Sequence, residues 1–336
     1  MKVLVTGSTS LLGGAVAELL RARGDDVTVF QRHPSPRRMR EVLGDVADPR
    51  AVEAAVAGSD VVIHAAAKVD VIGPWSAYEA TNITGTANML EASRKASVGR
   101  FVYVSSPSVA HAGHSLVGVP AGPADPDRAR DNYSRSKAAA EQLALAAGTG
   151  DLSVVAIRPH LVWGPGDTQL IGRIVTRARQ GRLAIVGTGA ALIDTTYIDN
   201  AADAIVAAAD RADQLNGRAL VVSNGQPRPV RELLNRIAQA AGLGPPRLRV
   251  PAGLARAAGT VFEQAWGRLQ REDEPPITRF LAEQLSTAHW FDQRETQRAL
   301  GWRPEVDLDE GFSRLETWLW SEAQSSVSLA GIDDRT

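Results

Sequence analysis

Val3-Leu4-Val5-Thr6-Gly7-Ser8-Thr9-Ser10-Leu11-Leu12-Gly13 is the stretch that decides the fold. A β-branched run breaks at a glycine and passes at once into an apolar stretch of helical length. Gly7 permits a tight turn without a Cβ, and Gly13 lets the helix lie close against the strand. The unpaired amides at such a helix start can bind a pyrophosphate, which points to a dinucleotide. Outward from this turn the same rhythm repeats, with short apolar runs and Ala/Leu-rich stretches alternating over residues 3–6, 12–23, 27–30, 49–57, 61–64, 76–96 and 101–105. Such alternation predicts successive βαβ units. Their continuously apolar strands predict a parallel sheet covered by helices on both faces.

The fold class expected is therefore α/β, a Rossmann-type doubly wound parallel sheet. A helix over 133–147 and a strand over 154–157 complete it, so residues 1–160 read as a nucleotide-binding domain that also carries the catalytic residues. After Arg158-Pro159 the rhythm loosens. Residues 161–320 read as a smaller C-terminal substrate lobe, some segments of which return to the first sheet. Helices are expected near 169–180, 200–209 and 230–241, followed by a Trp- and Arg-containing stretch over 253–290. Residues 321–336 are polar and aperiodic, which predicts a disordered tail.

Composition narrows the chemistry. Of 336 residues, 44% are apolar and 22% charged, and the net charge is −1, so no field draws the chain to nucleic acid or an anionic membrane. A small molecule is the expected partner. There is no cysteine, hence no thiolate nucleophile and no disulfide framework. The start of the chain leaves no room for a leader, and no run approaches the roughly 18 apolar residues of a membrane span. These features predict a soluble, cytoplasmic protein. The six histidines form no HExxH pair, so no metal is expected, and Ser106 lacks a GxSxG elbow, which argues against a hydrolase.

Tyr133-Ser134-Arg135-Ser136-Lys137 places a phenol and an ammonium one helical turn apart, on one helix face. A phenol that ordinarily titrates near 10 needs a neighbouring cation to ionise at neutrality, and Lys137 is the candidate. With the glycine turn, this segment resembles the extended short-chain dehydrogenases/reductases, whose TGxxGxxG element matches Thr6 to Gly13 except that Ser10 stands at the middle glycine. The Ser10 hydroxyl is expected to donate to a phosphate oxygen in its place. The resemblance runs from Met1 to about Leu319. It implies catalysis by Ser106, Tyr133 and Lys137, with Ser105 and Ser108 the rivals to Ser106. It further implies cofactor contacts at Gly7, Ser10, Leu12, Gly13, Arg32, Asp45, Val46, Ala65, Ala66, Lys68, Asn82, Tyr133, Lys137 and Pro159. Gln31 replaces the acid that an NAD-selective site carries after the second strand, and Arg32 beside it can fork onto a 2′-phosphate, so NADP(H) is expected over NAD(H).

Arg158-Pro159-His160-Leu161-Val162-Trp163-Gly164-Pro165-Gly166-Asp167 and Asp194-Thr195-Thr196-Tyr197-Ile198-Asp199-Asn200 resemble the 3β-hydroxysteroid dehydrogenase-like branch. Pro107-Ser108-Val109, the Trp163 motif and residues 281–290 resemble the reductases of 2-alkyl-3-oxoalkanoic acids in bacterial olefin synthesis. The resemblance thus implies interconversion of a ketone and a secondary alcohol on a hydrophobic substrate, with His111, His160 and Trp163 as substrate-side candidates. A nucleotide-sugar epimerase and a non-catalytic NADP-sensing protein are the alternatives. The resemblance also implies a homodimer through helices over 82–96 and 133–147, where Leu143 and Ala147 permit an apolar face. Leu254, Ala258, Val261, Phe262, Ala265 and Leu269 recur at helical spacing and predict either ordinary core or a lid that can touch a membrane surface.

Overall fold

A computed structural model describes residues 1–70, 73–110, 114–269 and 275–330. Seven parallel strands form the main sheet in the order Arg40–Leu43, Asp26–Gln31, Lys2–Thr6, Val61–His64, Arg100–Val104, Ser153–Pro159, Ala219–Val222. Strand order reverses between Lys2–Thr6 and Val61–His64, which pair with Val3 opposite Val61 and Thr6 opposite His64. A doubly wound sheet opens its ligand crevice at the carboxyl ends of the strands at such a switch point.

Apolar strands force helices onto both faces. Leu20 of helix Leu11–Ala22 and Ile205 of helix Ile198–Asp210 bury against Val5 and Val102 on one face. On the other, Val52, Met89 and Ala140 of helices Pro49–Val56, Gly85–Lys95 and Asn132–Ala146 pack on Leu4 and Phe101. Helix Ile198–Asp210 and strand Ala219–Val222 come from the second half of the chain, so the two halves share one sheet. A separate cluster around Trp163, Ile198, Leu234 and Phe312 forms the core of the second lobe.

Several elements depart from the sequence reading. The single helix read over 76–96 is instead a short turn Trp75–Tyr78, a wide π-helical segment Glu79–Thr84 and helix Gly85–Lys95. The stretch 253–290 divides into helix Ala252–Arg268, helix Arg279–Ser286 and strand His289–Phe291. That strand pairs with Leu116–Val119, a strand from the first half that alternation did not reveal, and so ties the two lobes together. The expected disordered tail is corrected in part, because helix Leu308–Ala330 continues into it; residues 331–336 lie outside the described residues. No helix among the described residues is long and apolar enough to cross a membrane.

In helix Ala252–Arg268, Ala255 is buried, while Leu254, Val261 and Leu269 just beyond the helix are exposed. A Cβ on Gly259 would stand 2.4 Å from the backbone nitrogen of Arg279, so this helix presses backbone to backbone on the start of helix Arg279–Ser286. It therefore backs a wall of the cavity described next.

Candidate functional site

A cavity of about 880 Å³ opens at the carboxyl ends of the sheet strands, a size suited to a cofactor and its substrate. Its floor is the glycine turn. Gly7 has φ +73°, and a Cβ there would lie 2.8 Å from the backbone of Ala66. Gly13 stands behind the turn, where a Cβ would come 2.4 Å from Gly7 O. Both glycines are thus required by contact as well as by conformation. Ser10 caps the following helix: its hydroxyl accepts from Gly13 N at 3.1 Å and donates to Gly7 O at 2.8 Å. The single hydroxyl proton is spent on that carbonyl, which corrects the expectation that it donates to a phosphate. The cap holds the turn open instead.

Beneath the turn runs a buried polar chain. Thr86 Oγ1 donates to Asn82 O (2.6 Å), so it accepts from His64 Nε2 (3.1 Å); His64 Nδ1 then accepts from Thr6 Oγ1 (2.8 Å), whose oxygen takes the Ala66 amide (3.0 Å). Burial pushes the His64 imidazole down to about 3, with the Lys137 charge acting in the same direction, so the ring is neutral and the chain keeps one polarity. Asn82 adds a clamp, accepting from Lys68 N at 2.7 Å and donating to Lys68 O at 3.1 Å and to Ser136 Oγ at 2.8 Å. Its place in the π-helical segment aims it at helix Asn132–Ala146, a displacement that a regular helix would not supply.

The wall brings together most of the residues named from sequence: Gly7, Ser10, Leu12, Arg32, Asp45, Val46, Ala65, Ala66, Ser106, Tyr133, Lys137, Pro159 and His160. Gly13, Lys68 and Asn82 stand behind it and shape it. Trp163 requires correction as a substrate-side residue. It is buried in the second lobe, stacked on Phe312 at 4.6 Å, and donates from Nε1 to Thr195 Oγ1 at 2.9 Å. His111 lies outside the described residues. The Asp194 to Asn200 motif is likewise structural: Asp194 accepts from Ser223 Oγ (2.6 Å) and three backbone amides, and Asn200 bonds both backbone groups of Val306.

Helix Asn132–Ala146 starts at the Asp131 cap, which accepts from Ser134 N at 2.8 Å and sets the pitch of Tyr133 and Lys137. Burial pushes the Tyr133 phenol up to about 12, against a hydrogen bond from Ser106 that pulls it down, with Asp131 adding to the rise. Ser106 is thus the serine whose hydroxyl acts on the phenol's titration, and Ser108 Oγ stands 3.0 Å from Ser106 Oγ. Lys137 departs from the expected role as the cation that ionises Tyr133. Its ammonium donates to Val104 O at 2.6 Å and stands 4.1 Å from the Tyr103 ring centroid. Burial lowers it to about 7, with Glu141 in the opposite direction. The phenol therefore keeps its proton at neutrality.

A stability consequence follows from Lys137. Its folded pKa lies below the ordinary 10.5, so between about pH 7 and 10.5 the unfolded chain binds more protons and stability rises with pH, by up to about 1.4 kcal/mol per unit. The melting temperature of the nucleotide-free protein is expected to climb over that window, and Lys137→Met to flatten the climb. Equal slopes in the two proteins would count against a depressed lysine.

The profile of the NAD dependent epimerase/dehydratase family matches residues 3–223, well over half of the chain. The chain belongs to this family. It is 43% identical over 331 residues to a 2-alkyl-3-oxoalkanoate reductase of Stenotrophomonas maltophilia, covering 94% of this chain and 98% of that one. A protein of the same name from Shewanella oneidensis is 38% identical, covering 94% and 85%. A 3-beta-hydroxysteroid dehydrogenase of Mycolicibacterium neoaurum is 29% identical over 98% of this chain and 96% of its own. Among solved structures, MoeE5 in complex with UDP-glucose and NAD superposes with a TM-score of 0.74 at 27% identity, covering 96% of this chain and all of that one. In the family's setting the glycine turn, the Ala65-Ala66 shelf and the start of helix Leu11–Ala22 fit a nicotinamide dinucleotide, since the turn lies tight on Ala66 and lines the cavity with the shelf and Leu12.

Sequence reasoning did not name Phe280, Leu281, Gln284 and His289, which fall in the stretch read over 253–290, or Phe291 just beyond it, as wall residues. The resemblance of residues 281–290 to the 2-alkyl-3-oxoalkanoate reductases was the signal that could have found them.

Proposed function

We propose that the chain is an NADPH-dependent ketoreductase acting on a hydrophobic 2-alkyl-3-oxoalkanoate in the cytoplasm. The observation that carries this is the placing of Tyr133, Ser106 and Lys137 on one cavity whose far wall is apolar at Leu116, Phe280, Leu281 and Phe291, with burial pushing the phenol up to about 12. A nicotinamide held on the glycine turn would supply the hydride that the carbonyl carbon takes up. Ser106 holds the carbonyl oxygen by its hydroxyl, and Tyr133 delivers the proton that this oxygen takes up. Lys137, anchored on Val104 O, is the donor placed to hold the nucleotide's ribose. Pro159 and Leu161 line the same cavity beside them. Consumption of NADPH with a long-chain 2-alkyl-3-oxoalkanoate, against NADH and against a 3β-hydroxysteroid with the oxidised nucleotide, tests the reading; steroid turnover alone would overturn the substrate assignment. Nucleotide-sugar epimerisation is the family's other chemistry, and NAD retained through purification would favour it. Nucleotide binding without turnover would favour a sensor.

The preference for NADPH rests on the end of strand Asp26–Gln31. Gln31 is neutral and occupied, accepting from Ser8 Oγ at 2.5 Å and donating to the Glu41 carboxylate, which also accepts from Ser35 N at 3.0 Å, so the acid nearest the strand end is already engaged by protein donors. Arg32 lines the cavity beside it. Sequence reading overlooked Arg37, which donates to Ser8 O at 3.0 Å and whose guanidinium lies against Gly14. A charged hydrogen bond is worth about 1.5–3 kcal/mol, so Arg32→Ala is expected to raise the KM for NADPH roughly tenfold or more and leave that for NADH unchanged. Equal changes for both nucleotides would remove the 2′-phosphate contact.

A homodimer belongs to the same reading. Leu143 on the catalytic helix is exposed and available to a partner, whereas Ala147 is buried in its own fold and adds nothing to that face. A dimeric mass at micromolar concentration is the expected result of light scattering, and a monomer would refute it.

A further inference from the structure

One buried hydroxyl on the cavity floor has no part in the chemistry assigned above. Strand Arg100–Val104 lies between Val61–His64 and Ser153–Pro159 in the middle of the main sheet, with Tyr103 opposite His64 and Val104 opposite Ile157. Ser105 N donates to Ile157 O at 2.7 Å, so the ladder runs one residue past the strand. Ser105 therefore emerges between the Ala65-Ala66 shelf and Pro159, and all of these residues line the cavity. It is 6% exposed, and its Oγ has no hydrogen-bond partner among the described residues.

The hydroxyls around it are engaged. Thr6 Oγ1 serves His64 and Ala66, Ser10 Oγ serves the glycine turn, Ser136 Oγ donates to Tyr133 O at 2.9 Å and accepts from Asn82, and Ser106 Oγ lies 3.0 Å from Ser108 Oγ. A hydroxyl taken out of water without a partner is a cost to the fold, and native interiors hold few of them. One that borders a ligand cavity gains its partner when the ligand binds.

The pleat gives its direction. Tyr103 packs with Ala140 of helix Asn132–Ala146, whereas Val104 packs with Val5 and Ile205 on the opposite face. Alternation returns Ser105 to the face of helix Asn132–Ala146, the side from which Lys137 reaches Val104 O at 2.6 Å. An ammonium that only donates and a hydroxyl that both donates and accepts thus share the carboxyl end of one strand, where a doubly wound sheet holds its dinucleotide.

We propose that Ser105 Oγ is a nucleotide contact that shares the nicotinamide ribose with Lys137. The two adjacent hydroxyls of a ribose both give and take hydrogen bonds, which suits an ammonium and a hydroxyl side by side. Neighbouring serines then have separate tasks, Ser105 on the cofactor and Ser106 on the carbonyl oxygen. The inference rests on the nicotinamide dinucleotide of the reading above and adds a residue to its binding; it does not depend on which ketone is reduced.

The test measures binding by calorimetry to the wild type and Ser105→Ala. Three ligands are used: NADPH, 2′-phospho-ADP-ribose, which keeps the second ribose and lacks the nicotinamide, and 2′,5′-ADP, which lacks both. The melting temperature of the nucleotide-free variant is expected not to fall, since the substitution removes an unpartnered polar group. We expect NADPH and 2′-phospho-ADP-ribose to bind at least about fivefold more weakly, and 2′,5′-ADP to change less than about twofold. Equal weakening of all three would report a distorted floor and overturn the proposal. Unchanged binding of all three would leave the hydroxyl to cavity water, and a loss confined to NADPH would move it to the carboxamide; either result overturns the ribose contact. At saturating NADPH the KM for the 2-alkyl-3-oxoalkanoate is expected to match the wild type, and a raised KM with unweakened nucleotide binding would assign Ser105 to the substrate instead. A wild type that binds the ligands and reduces no 3-oxo acid fails the ketoreductase reading alone, while the three affinities still judge Ser105. A wild type that takes NADH in place of NADPH is judged in the same way with NADH, ADP-ribose and AMP.

Discussion

Replacing Tyr133 by Phe is expected to lower kcat for ketone reduction by at least about a hundredfold while leaving NADPH affinity within about twofold. Positioned acid–base groups contribute roughly 10²–10⁴ in rate, and the substitution deletes the proton donor while keeping the ring that fills its place. The phenol is pushed up to about 12 by burial, so it holds its proton throughout the physiological range and is set to give it away. The reductive direction should therefore show no loss of rate from Tyr133 as pH rises from 6 to 9. Oxidation of the alcohol, which needs the phenol to accept a proton, should gain with alkalinity. Near-normal turnover by Tyr133→Phe, measured with saturating nucleotide, would sink the assignment of the donor.

The second large effect lies in the support of that donor. Arg158 and Glu141 are each 1% exposed and pair through two hydrogen bonds, Arg158 Nε to Glu141 Oε2 at 2.8 Å and Nη2 to Oε1, while Nη1 donates to Gly122 O at 2.7 Å. Glu141 sits one turn beyond Lys137 on helix Asn132–Ala146, and Arg158 belongs to strand Ser153–Pro159. Removing one partner leaves a bare charge in the interior, which costs about 3–5 kcal/mol, whereas replacing both by apolar groups of similar size can be close to neutral. Arg158→Met and Glu141→Leu singly should each lower the urea midpoint strongly, and the double variant should recover much of the loss. Simple addition of the two losses would show that the pair is not coupled.

The sequence by itself determined whatever depends on local backbone preference and period. The strands near 3–6, 27–30, 61–64, 101–105 and 154–157, the glycine turn at Gly7, the helix carrying Tyr133 and Lys137 on one face and the neutral residue at Gln31 were legible because each is encoded within a few neighbouring residues, whereas the short edge strand Arg40–Leu43 was not read. The same locality explains the misreadings. Trp163 stands in a motif next to Pro159 and His160, which do line the cavity, yet burial against Phe312 takes it elsewhere. The helix over 76–96 shows ordinary helical spacing, and its wide turn, which delivers Asn82 to Ser136, leaves no mark in composition. Residues 321–330 are polar enough to read as a tail, but they extend a helix whose buried Phe312 and Leu315 secure it to the second lobe.

Tertiary structure alone decided the chemistry of contacts between distant segments. Where the Lys137 ammonium goes is settled by Val104 O and the Tyr103 ring, on a neighbouring strand, and its depressed pKa comes from that burial. The far wall of the pocket exists because strand His289–Phe291 pairs with Leu116–Val119, which sets His289 against His160. No periodicity can report such a meeting, since a hydrogen bond depends on where two side chains end in space, and the chain between them leaves that position free until the core has packed.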